Sequence, residues 1–232
     1  MPALATSPED ASRQLSVVLP ACNEEATIAE VLTRLYAVFP HAEFVLVLNA
    51  TQDATQRVAE HTALELGAYL KVIELSLGGK GRAMRTGAAA SQRPWLLFHD
   101  TDLEYAPEDA KAVVADAQRT HGLCIGERLV LLRQVRLSSW LANRLIAWLL
   151  KHRHGGSSLD VLSGTRALSK EAFMALNTQA TGFQIETEMT ANALRQGLRL
   201  SQVPVRYMPR TATQGKKIKA SHLFGLIAAA LG

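Results

Sequence analysis

Cysteine is nearly missing from this chain: Cys22 and Cys124 are the only two in 232 residues. They form no CxxC pair and have no histidine partner at metal spacing, which excludes a disulfide scaffold and argues against a zinc site. Two buried thiols in a reducing compartment is the expectation. The seven histidines form no HxxxH or HExxH pattern, so they suggest no metal role. Long apolar runs are also lacking. Leu141–Leu150 is interrupted by Asn143 and Arg144, and Leu223–Leu231 is short, so neither is long enough to cross a bilayer, although either can lie on one. Residues 1–14 contain no apolar stretch of the secretory kind. Aromatics make up 6% of the chain, and few are interleaved with basic residues. That leaves no evident stacking platform for nucleic acid.

Acidic residues stop at Glu188, and the charge is divided. Residues 1–127 hold 10 Lys and Arg against 17 Asp and Glu, whereas residues 128–232 hold 15 against 4. A basic half of that size suggests an anionic partner such as phosphate groups or a lipid surface. Apolar residues are 48% of the chain, enough for a sizeable core. The organisation expected is an N-terminal extension at 1–14, one α/β domain at 15–210, and a basic then apolar tail at 211–232.

Short β-branched runs alternate with helical patterns through the first half. Strands are expected at Leu15–Pro20, Glu43–Leu48, Tyr69–Leu75, Trp95–His99 and Leu123–Gly126. Helices are expected between them, the first capped by Asn23 with Glu24 and Glu25 in its opening turn. This alternation argues for a mostly parallel sheet covered on both faces. Polar segments at 20–25, 49–53 and 100–104 follow strand ends, where ligands bind in open α/β sheets. After Arg128 the pattern is less regular, with helices at Ser138–His152, Ser169–Leu176 and Glu186–Gln196, and strand-like stretches at Leu159–Leu168 and Leu198–Tyr207. The first of these helices carries Trp140, Leu141, Leu145, Trp148 and Leu149 beside Arg144, Lys151 and Arg153. Core packing is the ordinary reading, and an interfacial helix the sharper one.

Two turns carry chemistry. Asp100-Thr101-Asp102 follows the apolar run Trp95–Phe98, and carboxylates at i and i+2 in a turn can share a divalent cation that also binds a diphosphate. Gly79-Lys80-Gly81, followed by Arg82 and Arg85, offers glycines for close backbone approach and a helix N-terminus favourable to anions. It is neither a Walker A nor a dinucleotide-binding sequence.

Taken in order, these turns and their neighbours resemble the family 2 glycosyltransferases, particularly the polyprenyl (dolichyl) phosphate sugar synthase branch. Val17-Val-Leu-Pro-Ala-Cys-Asn-Glu-Glu25 resembles that family's VVIPAYNEE start, and Gly79-Lys-Gly-Arg-Ala83 with Gly87 its GKGxAxxxG. Phe98-His-Asp-Thr-Asp-Leu103 resembles the DxDL metal motif, and Asp160 with Ser163–Ser169 the D..SGFRALS stretch. Phe183–Met189, Val203–Tyr207, and Arg210 with Gly215–Ile218 are similar to three late segments. The resemblance covers about residues 15–225.

It implies a GT-A fold, a nucleotide-diphosphate sugar donor (GDP- or UDP-sugar), an inverting transfer and Mg²⁺ or Mn²⁺. By the same resemblance Pro20, Asn23 and Glu25 line the base and ribose pocket, Lys80 and Gly81 lie near the nucleotide, and Asp100 and Asp102 hold the metal and diphosphate. The sequence departs from the pattern after the second strand. There Leu48 and Asn49 replace an acidic pair, leaving Asn49 and Asp53 as the candidate nucleotide contacts. Glu104 is a candidate third oxygen ligand. A polyprenyl phosphate acceptor is already an anion and needs no base, so Arg128, Arg133, Arg136, Arg210 and Lys217 are candidates to bind it. A hydroxyl acceptor would need a base, for which Glu186 and Glu188 are candidates. Glu186 is expected rather to be an acid of a helix's first turn or a partner of Arg166. The location implied is cytoplasmic, in peripheral contact with the cytoplasmic face of a membrane. A nucleotidyltransferase ranks low, because its glycine-rich loop is missing after the first strand. A nucleic-acid-binding module and a degenerate transferase rank lower than the enzyme.

Overall fold

The computed structural model describes residues 12–129, 137–155, 160–210 and 223–231. Arg133, Arg136 and Lys217 lie outside them. In chain order the elements are β1 (Leu15–Ala21), α1 (Ile28–Val38), β2 (Glu43–Asn49), α2 (Thr55–Leu66), β3 (Tyr69–Leu75), α3 (Lys80–Ala90) and β4 (Trp95–Phe98). A 3₁₀ turn (Pro107–Asp109), α4 (Ala110–Thr120), β5 (Leu123–Leu129), α5 (Leu137–His154), β6 (Arg166–Ser169), α6 (Lys170–Ala175), α7 (Ile185–Arg195), β7 (Leu200–Arg206) and α8 (Leu223–Leu231) follow.

Seven strands form one sheet in the order β3-β2-β1-β4-β6-β5-β7. Of these, β6 alone runs against its neighbours, antiparallel to both β4 and β5, while β5 and β7 are parallel. Side chains alternate across β1. Leu15, Val17, Leu19 and Ala21 pack towards α1 and α4, while Val18 packs towards α3, α6 and α7. Burial on both faces is why β1 and β2 read as continuous apolar runs. A third apolar cluster joins Ile146, Ala147 and Leu150 of α5 to Ala191 of α7 and Leu226 and Ala230 of α8.

Register positions the site. β1 pairs with β4 only over Leu15–Val18, whereas its pairing with β2 continues to Ala21. The last three residues of β1 therefore overhang the end of β4, and the acidic turn at 100–104 runs beneath them. Thr101 Oγ1 donates to Pro20 O across 3.2 Å.

Three local expectations need correction. α1 begins at Ile28, not after Asn23. Asn23 has a φ of +55° and its Oδ1 accepts from Gln52 N, so its capping oxygen is used on the neighbouring loop. The strand expected over Leu159–Leu168 is confined to Arg166–Ser169, after a turn closed by Ser163 N donating to Asp160 O. Of the two cysteines only Cys124 is fully buried, and burial pushes its thiol up to about 12. Cys22 is half-buried. Among the described residues no helix is long and apolar enough to cross a membrane.

Candidate active site

Loops at the carboxyl ends of β1, β2 and β3 are stitched into a rim by the polar side chains that local sequence had marked. Asn23 Oδ1 accepts from Gln52 N at 2.8 Å, and Glu25 Oε2 from Ala54 N at 2.9 Å. Asp53 Oδ2 accepts from Glu25 N at 3.1 Å, while its Oδ1 holds Thr55. Asn49 Oδ1 accepts from Gly79 N at 2.6 Å, tying the second loop to the glycine turn. Asn23, Glu25, Asn49 and Asp53 are thus brought together, while Pro20 O, near the end of β1, accepts from Thr101 Oγ1.

At the centre, Lys80 Nζ lies 2.7 Å from Asp100 Oδ1 and 2.6 Å from Glu186 Oε1. Burial disfavours the ammonium, but the two carboxylates outweigh it and hold Lys80 charged well above its ordinary range. Asp100 is pressed from the other side by Gly164, where a Cβ would overlap its Oδ2. A side chain at 164 would displace the Asp100 carboxylate. Asp102 is pushed up to about 7, first by burial and then by the negative charges of Asp100 and Glu104. His99, buried beside them with Nδ1 3.1 Å from Thr165 Oγ1, is lowered by burial to about 4 and adds no positive charge near neutrality.

The two glycines flanking Lys80 do not leave an open cradle. A Cβ on Gly79 would overlap the carbonyl of Thr181, and one on Gly81 the carbonyl of Ala180. Arg82 N, in the first turn of α3, donates to Thr181 O at 3.1 Å. The turn therefore meets protein backbone, as a plain strand-to-helix turn does, where the glycines alternatively suggested an anion site, and Lys80's ammonium is the part of it that faces the acidic cluster.

The chain after β7 is strapped over the acidic turn. Glu104, the suggested third metal ligand, has both carboxylate oxygens engaged: Tyr207 Oη donates to Oε2 at 2.6 Å and Arg210 N to Oε1 at 2.7 Å. Arg210 Nε donates to Asp102 O at 3.0 Å, and its guanidinium pairs with the buried Glu24 at 2.6 Å. Among the described residues no three His, Cys, Asp or Glu side chains are grouped to hold a metal ion.

Beyond β6 lie the basic groups. Arg128 grips Asp160 through Nε at 2.7 Å and Nη2 at 2.6 Å, and lies 5.1 Å from the Tyr207 ring centroid. Glu188 accepts from the backbone amides of Gln179 and Ala180 at 2.9 and 2.7 Å. Arg166 is fully buried and donates to the carbonyls of Ser163, Glu186 and Val161. The pairing of Arg166 with Glu186 thus goes through the main chain, and Glu186's carboxylate belongs to Lys80. Sequence reasoning missed Glu24 and Gly164 as parts of the site. Glu24 stood within the Asn-Glu-Glu stretch and Gly164 within Ser163–Ser169, but neither reveals its partner locally.

On α5 the inner face buries Ile146, Ala147 and Leu150, while Trp140, Leu141, Leu145 and Trp148 are 36, 51, 40 and 58% exposed. Arg144 lies 5.6 Å from the Trp140 ring centroid, and Trp148 stacks on His152 at 5.4 Å.

Residues 16–176 match the family model described as glycosyl transferase family 2. The glycosyltransferase AglJ of Haloferax volcanii is 31% identical over 84% of this chain. The chain spans 63% of that relative, less than two thirds of its length. A dolichyl-phosphate beta-glucosyltransferase of Drosophila melanogaster is 30% identical over 94% of this chain and 72% of its own. Among solved structures, glucosyl-3-phosphoglycerate synthase of Mycobacterium tuberculosis in complex with Mn²⁺, uridine diphosphate and phosphoglyceric acid aligns with a TM-score of 0.74. It is 25% identical and covers 96% of this chain and 80% of its own. The GT-A fold is shared.

Proposed function

The chain belongs to glycosyl transferase family 2, and on that footing we propose that it transfers a sugar, with inversion, from a GDP- or UDP-sugar to a polyprenyl phosphate at the cytoplasmic face of a membrane. The rim of Pro20, Asn23, Glu25, Asn49 and Asp53 receives the base and ribose. Lys80 faces the diphosphate.

The residues fit a divalent cation. Asp102 is pushed up first by burial and then by the negative charges of Asp100 and Glu104, which a cation would offset, and an all-oxygen donor set suits Mg²⁺ or Mn²⁺. Asp100 and Asp102 would hold it, with the donor's phosphates and water completing the shell. Once bound, it neutralises charge developing on the leaving nucleoside diphosphate.

One observation carries the acceptor. Both carboxylates that a hydroxyl acceptor would recruit as base are engaged, Glu186 with Lys80 and Glu188 with two backbone amides. An acceptor phosphate brings its own anionic oxygen and needs neither. Arg128, Arg210 and Lys217 are the cations assigned to screen its repulsion from the donor. The exposed Trp and Leu face of α5, on a helix with Arg144, Lys151 and Arg153 and no acid, supports contact with a bilayer.

The test is transfer from radiolabelled GDP- and UDP-sugars with Mn²⁺ to polyprenyl phosphate in detergent. Label should enter the organic phase with the parent chain. Asp102→Ala should lose about a hundredfold to a thousandfold in rate, as expected when a major electrostatic contribution to the transition state goes. Label moving solely to water-soluble phosphorylated or hydroxyl acceptors would sink the lipid assignment and leave the donor assignment standing.

A further inference from the structure

We propose that Glu188 is a positioning residue for Lys80, acting through the loop at 177–182 rather than on the acceptor. Glu186 and Glu188 stand at i and i+2 in the first turn of α7, so they point to opposite sides of the helix. Glu186 reaches the Lys80 ammonium directly. Glu188 turns to the loop and accepts from Gln179 N and Ala180 N with one carboxylate oxygen each. That grip fixes the next two carbonyls, of Ala180 and Thr181, and these bear on Gly81 and Gly79 without room for a Cβ.

The contact is more than steric. Arg82 N donates to Thr181 O at 3.1 Å and Arg85 Nη1 to Thr178 O at 3.2 Å, so the start of α3 is bonded to the loop. Asn49 Oδ1 holds Gly79 N from the opposite side. The backbone of Lys80 is therefore clamped between the β2 loop and a loop whose shape Glu188 sets, while its ammonium is held by Asp100 and Glu186. Releasing the loop frees the turn, and the ammonium loses its fixed place beside the acidic cluster. A base at Glu188 would have to give up two backbone amides to reach a substrate.

The inference rests on the assignment of Lys80 to the donor diphosphate. Its test measures binding of UDP and GDP with Mn²⁺ by calorimetry, beside transfer kinetics and thermal melting, for Glu188→Gln, Glu188→Ala, Gly81→Ala, Lys80→Met and the Lys80→Met/Glu188→Ala double variant. Glu188→Ala loses both acceptors and should weaken nucleoside diphosphate binding about tenfold or more, as misplacement of a binding group does. Glu188→Gln keeps a carbonyl oxygen and should fall between parent and Glu188→Ala. Gly81→Ala pushes the same loop from the other side and should reproduce the loss without touching Glu188. The double variant should bind no worse than Lys80→Met alone, because coupled residues are not additive.

A base at Glu188 would show instead as kcat down about 10²–10⁴-fold in both Glu188 variants with diphosphate binding unchanged, and that result overturns the inference. A fall in melting temperature with binding and kcat intact overturns it too. If the parent binds neither nucleotide, the donor assignment itself fails and the inference with it.

Discussion

From β3 to β4 every strand is parallel to its neighbour and followed by a loop of the site; from β4 to β7 the sheet changes direction twice, on either side of β6, and the strands carry Arg128, Arg166 and Arg206. The first side's charges are balanced within short reach, partly by groups that the second side supplies: Lys80 between Asp100 and Glu186 of α7, Glu24 against Arg210 after β7, and rim side chains on rim amides. The second holds Arg128, the arginine proposed for the acceptor phosphate, in a two-pronged pair with Asp160. Preorganised polar groups cost little to use when the ligand arrives. A paired arginine must exchange one anion for another, which suits a site filled by an incoming phosphate. On the proposed function, the difference sets a rim of polar side chains already fixed on one another against an acceptor arginine that must be released from Asp160.

The sharpest way to break that contrast is at the seam. Gly164→Ala puts a methyl where Asp100 Oδ2 lies, so Asp100 must leave its place beside Lys80. Transfer should fall about a hundredfold, the scale of a misplaced catalytic group. Overpacking should cost about 1–3 kcal/mol in chemical denaturation. Unchanged donor binding and rate would show that Asp100 does not need that position.

Next in size is Arg128→Lys. It keeps the charge but gives up the fork that fits a carboxylate or phosphate through two bonds. The KM for polyprenyl phosphate should rise about tenfold, the cost of roughly one charge-assisted hydrogen bond, while UDP or GDP binding stays unchanged. An equal loss on both substrates would deny that the two sides act separately.

The donor side was legible because its signals are local. Strands buried on both faces read as apolar runs, each ended by the polar turn that forms the rim. What failed there depended on distant partners. Asn23 reads as a helix cap, yet its oxygen serves Gln52, and α1 starts five residues later. The acceptor side was less legible for the same reason on a larger scale. The candidate ligand Glu104 gives no local sign that the chain after β7 brings Tyr207 and Arg210 back to its two oxygens. Glu186 and Glu188 are two residues apart with opposite partners, and only the packing of α7 on α3 and the 177–182 loop decides which acid faces Lys80. The reversed direction of β6 has no mark within its four residues Arg166–Ser169.

The smallest effect tests whether the two sides are also joined at the surface. Glu108, before α4, meets Arg34 of α1 at 2.7 Å and Arg206 of β7 at 3.4 Å. Arg34's hydrogen bond, against the opposing effect of burial, holds Glu108 down to about 2 from its ordinary 4.5. A carboxylate lowered in this way adds stability that is fully present above its ordinary value and is lost as pH falls from about 4.5 towards about 2. Because Glu108 is 44% exposed, solvent screening limits the pair to about 0.5–1 kcal/mol. Glu108→Gln should therefore melt about 1–4 °C below the parent at pH 7, with the gap closing as pH approaches 2. The gap should also shrink in high salt. A gap that persists at pH 2 would mean that Glu108 acts through packing, and that this surface link between α1 and β7 is not electrostatic.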